Sequence, residues 1–164
     1  MQRIALLFLM PTIALVLGCN RVRTFTDAAG NRTTITPDGD TAELRVEGKD
    51  GSEAQIALGE AGVPVPEDLP EDVPVFTDAT VMGTTVAPES IMMVLETTTE
   101  PETVMRFYEE QLQANEWEVT DTTRIPQGAF LMANKGDDRN VSVSIGGGDE
   151  GRAVITLTID APAN

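Results

Sequence analysis

Residues 97–116 read TTTEPETVMRFYEEQLQANE, and this stretch decides the fold. Pro101 falls where a first helical turn would start, a place where its missing N–H costs nothing, with Thr99 or Glu100 just ahead as the cap. Val104, Phe107, Tyr108 and Leu112, joined by Met105, recur at helical spacing, while Glu109, Glu110 and Gln113 take the opposite side. The pattern predicts one amphipathic helix of about four turns, ending near Asn115.

The segments on either side switch from a helical period to a period of two. VMGTTVA and IMMVLET precede the helix, and WEVTDTTRI, AFLMANK, RNVSVSI and RAVITLTI follow it, separated by IPQG, KGDD and GGGDEG. In the last two strands, Val141, Val143, Ile145 and Ile155, Leu157, Ile159 alternate with Ser142, Ser144, Thr156 and Thr158. One face therefore meets the helix and the other meets water or a partner. The expected class is α+β, one helix packed on an antiparallel sheet in the order β-β-α-β-β-β-β, over residues 75–160. Met92 and Met93 stand among Ile91, Val94 and Leu95. The expectation is a central strand buried on both faces; the functional alternative is a pliable Met-rich contact surface.

The segment LPEDVPVFTDATV, followed later by EPETVMRFYEEQLQANEWEV, resembles one found in many uncharacterised exported bacterial proteins. There the helix runs into a tryptophan that opens the next strand. The resemblance spans about residues 68–160, gives Trp117 that role beneath the helix, and implies no activity.

Upstream, residues 59–74 hold Pro64, Pro66, Pro70 and Pro74 among Glu67, Asp68, Glu71 and Asp72. Proline stiffens the chain and denies it ladder hydrogen bonds, so this is expected to be a linker and domain boundary. Before it, TAELRVE and SEAQIAL alternate strictly and are punctuated by DAAGN, PDGD and GKDG, which predicts a small β-hairpin module within residues 19–58. Residues 25–41 resemble the YD-type repeats of large bacterial β-shells, with Asp27, Gly30 and Asn31 matching and Thr26 where tyrosine is typical. A single copy is present, and ordinary hairpin chemistry accounts for it.

The chain opens MQRIALLFLMPTIALVLGCN. Arg3 and the apolar run from Ile4 to Leu17 form a charged head and a core of about 14 residues, short of the roughly 20 that span a bilayer. Val16-Leu17-Gly18-Cys19 resembles the bacterial lipobox, in which the cysteine takes a diacylglycerol and the chain is cut between positions 18 and 19. The resemblance implies a signal peptide at 1–18, lipidation of Cys19 and passing contact with lipoprotein-processing enzymes. It also implies anchoring in a membrane outside the cytoplasm. Asn20, where an aspartate would favour inner-membrane retention, leans toward the outer membrane of a two-membrane cell. Two or three acyl chains, at about 0.8 kcal/mol per buried methylene, hold a protein firmly where one holds it marginally.

The net charge is −16, with 27 acidic residues against 11 basic. Such a surface repels phosphate backbones, which argues against a nucleic-acid partner, and it leaves membrane attachment to the lipid. Cys19 is the sole cysteine and histidine is absent. No intramolecular disulfide can form, and histidine-dependent hydrolases and the usual zinc sites are excluded.

Glu96, Glu102, Glu109 and Glu110 are candidates for a carboxylate acid–base pair, which needs a cleft and divergent pKa values. PDGD with Glu43, KGDD and GGGDEG bring oxygen ligands together, but none fits a twelve-residue calcium loop, and hairpin turns explain them better. Thus no metal, cofactor or catalytic residue is assigned. The expectation is an envelope lipoprotein serving as a binding or structural module, with an envelope protein or glycan as partner. The alternative is a histidine-free enzyme acting on envelope glycans. Residues 161–164 form a tail.

Overall fold

Among the described residues of the computed structural model, which are 21–126, 128–148 and 152–160, ten strands and one helix follow in chain order. They are β1 (Arg23–Thr26), β2 (Arg32–Asp38), β3 (Thr41–Glu47), β4 (Glu53–Gly59), β5 (Thr80–Ala87) and β6 (Ser90–Thr97). Then come α1 (Pro101–Ala114), β7 (Glu118–Ile125), β8 (Gly128–Lys135), β9 (Arg139–Gly147) and β10 (Ala153–Asp160). Gly18, Cys19 and the tail lie outside the described residues.

The strands form one antiparallel sheet in the order β1-β2-β3-β4-β5-β6-β10-β9-β8-β7. The first six run as a meander. Helix α1 then carries the chain from β6 to the far edge, and β7 to β10 return until β10 pairs with β6. Turn chemistry accounts for the short connections: Gly39, at φ 59°, reverses the chain between β2 and β3 in a backbone region that residues with a Cβ avoid.

This architecture corrects the expected α+β class. Strands hold 54% of the described residues and the helix 10%, and the sheet is single. The hairpins of β1–β4 are no separate module, because Gln55, Ile56, Ala57 and Leu58 of β4 pair with Val86, Thr85, Thr84 and Gly83 of β5. That pairing bridges the proline-rich stretch, and backbone ladder bonds of this kind carry no mark in side-chain periodicity. The proline-rich stretch itself folds onto the sheet: the Val63 N–H donates to the Val81 carbonyl at 2.7 Å, and Val73 and Phe76 are buried in the core.

The core lies between α1 and one face of the sheet. Met93 and Leu95 of β6, Ile155, Leu157 and Ile159 of β10, Val141, Val143 and Ile145 of β9, and Leu131 of β8 are buried there. Val104, Met105, Tyr108 and Leu112 close it from the helix. The period-two pattern delivers these residues to one side, and register keeps them together, with Leu157 opposite both Met93 and Val143. Full burial of each large aliphatic chain contributes about 1.5–3 kcal/mol.

The apolar side of the sheet changes along its width. In β2–β4, Ile35, Leu44 and Ile56 stand in one register row that continues through Thr85 to Met92, on the face away from α1. The helix-side face of these strands instead carries Arg32, Glu43, Arg45, Glu47 and Glu53, tied by Arg32–Glu47 at 3.7 Å and Arg45–Glu53 at 3.0 Å.

Candidate functional site

The space beneath the helix is filled. Val104, Met105, Tyr108 and Leu112 are wholly inaccessible to solvent, and Phe107 stacks edge-to-face on Phe76 at 5.1 Å. The Tyr108 hydroxyl is buried beside the Phe76 backbone without a hydrogen bond of good geometry, and burial pushes its pKa up to about 12. Glu100 occupies the N-cap without a side-chain cap bond, and Thr99 is held by Thr97 instead. At the other end the Trp117 N–H donates to the Leu112 carbonyl at 2.9 Å and the Glu116 N–H to the Gln113 carbonyl at 3.1 Å. This double closure swings Trp117 under the helix terminus, where it is 3% exposed.

Asp72 ties this corner to the proline-rich stretch. Its carboxylate takes a bidentate pair from Arg139 at 2.7 and 2.8 Å and a third bond from Lys135 at 2.8 Å. Its carbonyl accepts from Trp117 Nε1 at 3.0 Å and from Asn115 Nδ2 at 3.1 Å. Arg139 also lies over the Trp117 ring, 4.8 Å from its centroid. The Arg139 bonds hold the Asp72 carboxyl well below the ordinary carboxylate range, with burial opposing and Lys135 assisting. A single acid in a run of acids gives no sequence signal of such a role. The node is part-buried, and its ion pairs join three segments of the fold.

Among the described residues, besides an open hollow of about 540 Å³ at the Ala29–Asn31 and Gly48–Ser52 turns, two concavities bear on binding. The first, about 500 Å³, sits between the Pro64–Asp68 stretch and β3–β5 on the helix side of the sheet. Its floor is Gln55, Ala57, Thr84 and Val86, Pro64 and Pro66 form a wall, and Glu43, Glu67 and Asp68 stand at it. Thr84 is buried to 7% exposure. The second, about 190 Å³, opens on the helix-free face and is lined by Leu58, Met82, Gly83, Met92 and Val94. It exists because Gly83 lacks a side chain: a Cβ there would come within 2.7 Å of Leu58 Cδ2. A bulge after Val81 displaces Met82 into the same groove.

The expectation that β6 is buried on both faces is therefore corrected. Met93 faces the core with no exposure, whereas Met92 is 39% exposed on the open face. The strand is covered on one side only, where Met93 and Leu95 join the core cluster that also holds Val73 and Phe76.

The candidate carboxylates are not brought together in a cleft. Glu96 accepts from Arg152 at 2.8 Å; Glu109 is bound by Arg124 at 2.7 and 2.8 Å, with Glu102 nearby at 3.5 Å from the same guanidinium. Glu110 is exposed on the helix. Among the described residues no group of three or more acidic or cysteine side chains is placed to hold a metal. Asp27 instead closes a turn, accepting from Ala29, Asn31 and the Asn31 side chain at 2.8–2.9 Å. No helix of the described residues is long and apolar enough to cross a membrane.

A family model described as START domain-like matches residues 77–151, from the approach to β5 to beyond the end of β9. No curated protein and no solved structure matches the chain.

Proposed function

We propose that the protein is a membrane-anchored envelope lipoprotein whose folded body is a binding module. The observation that carries the anchor is the Val16-Leu17-Gly18-Cys19 boundary at the end of a short apolar run. Acylation of Cys19 fixes the chain to a membrane outside the cytoplasm, the outer one where a cell has two, after brief handling by processing enzymes. The acidic surface turns nucleic acid away.

The likeness to a START domain-like model supports a ligand-binding body, and the cleft over Gln55 and Thr84 supplies a place for the ligand. Hydrogen-bonding groups beside Val86, Pro64 and Pro66, with carboxylates at hand, suit a neutral or cationic group bearing hydroxyls or amides. An envelope glycan or a peptide segment of an envelope protein has that chemistry. A carboxylate-based enzyme lacks comparable support, since Glu96 and Glu109 are engaged by arginines.

The test is expression of the full chain in a bacterial host and the mass of its N-terminal peptide, beside Cys19→Ala. The expected wild-type peptide begins at Cys19 and is heavier by a diacylglycerol or more, and the variant carries no lipid. A peptide that starts elsewhere with a free thiol defeats the lipoprotein reading.

A further inference from the structure

Among the described residues, nothing covers the helix-free face of β1–β6. Along one register row it presents Arg23, Ile35, Leu44, Ile56, Thr85 and Met92, and beside it Pro37, Ala42, Leu58 and Val94. Phe25 at 54%, Leu58 at 51% and Met92 at 39% exposure stand on this one surface. The chain's acids avoid it. With 27 acidic residues in the sequence, this face carries Glu96 alone within β1–β6, at one end and tied to Arg152. A merely solvated face of so acidic a protein would share in its charge, as the opposite face of the same strands does with Glu43, Glu47 and Glu53.

We propose that this face lies against the bilayer that holds the lipid anchor, with Phe25, Leu58 and Met92 at the boundary between headgroups and acyl chains. The inference rests on the lipoprotein reading and adds an orientation to it. Four residues of chain lead from Cys19 to Arg23 at the start of β1, and at no more than about 3.6 Å each they keep this edge strand within about 14 Å of the acylated residue. Arg21 and Arg23 stand at that same end, suited to lipid phosphates.

A second copy fits the face less well. A stable interface between copies needs roughly 800 Å² of accessible surface from each partner, held by complementarity alone. A surface held near a bilayer by acyl chains needs no such area, because the anchor supplies the effective concentration.

The experiment uses the full-length lipidated protein in neutral phosphatidylcholine vesicles, with the N-terminal peptide mass recorded on the same sample. Spin labels are placed one at a time at Leu58→Cys, Met92→Cys or Phe25→Cys on the face, and at Gln55→Cys or Glu110→Cys away from it. Circular dichroism confirms that each variant is folded. At positions 58, 92 and 25, collisions with oxygen are expected to exceed those with a water-soluble nickel complex severalfold, with the reverse at 55 and 110. Equal access to the nickel complex at all five, on a lipidated sample, overturns the orientation and leaves the anchor standing. Shielding at 58 and 92 with dipolar coupling between labels on separate molecules assigns the face to a second copy and also overturns it. An unlipidated N-terminus removes the reading on which the orientation rests, and the orientation falls with it.

Discussion

Asp72 shows how much one side chain can hold. It joins the proline-rich stretch, the helix terminus and the β8–β9 corner through Arg139, Lys135, Asn115 and Trp117. Asp72→Asn retains the carbonyl contacts but strips the charge from beneath two cations, and the expected loss is about 1–3 kcal/mol by urea denaturation at pH 7. The sign of the pH dependence follows from the depressed carboxyl. The folded state binds the proton less readily than the unfolded state, whose aspartate titrates near 3.9. The stabilisation is therefore complete above that value and is lost as pH falls below about 4 toward the folded pKa. The stability gap between wild type and Asp72→Asn should be constant from pH 7 to about 5 and shrink below 4. A gap that persists unchanged to pH 3 would show that the carboxylate charge is not what holds this corner.

At the scale of elements, the helix was legible because its cues are local. Pro101 sits in its first turn and the stripe of Val104, Met105, Tyr108 and Leu112 faces the core. Its end was not fully legible: Glu116 takes a left-handed conformation, φ 63°, to complete the closure that places Trp117, where glycine would be the usual choice. Relief of that strain predicts that Glu116→Gly stabilises the protein by about 0.5–1 kcal/mol, read as a higher urea midpoint at unchanged slope. A lower midpoint would mean that the Glu116 side chain contributes more than its backbone costs. The face assignments of β9 and β10 were equally readable from strict alternation. Met92 and Met93 were not, since a run of apolar residues records neither which side a helix covers nor whether the other side is covered at all.

For the whole molecule, the joining of β4 to β5 matters most. Removal of residues 19–58 would bare the β5 edge, TVMGTTVA, whose unpaired backbone and apolar residues invite association between chains. The expected outcome is a fragment that aggregates and melts below the full-length protein; a soluble, monomeric fragment with undiminished stability would restore the hairpins to the status of a separate module. The signal-like opening, the acidic charge, the lack of histidine and the run of strands around one helix needed only composition, period and local order. The single sheet, the reversal of its apolar side between β4 and β10, the Asp72 node and the open groove at Gly83 were decided by tertiary structure. Periodicity reports which residues share a face, whereas the strand that pairs across a long connection, and what lies against each face, depend on backbone bonds and packing between distant segments.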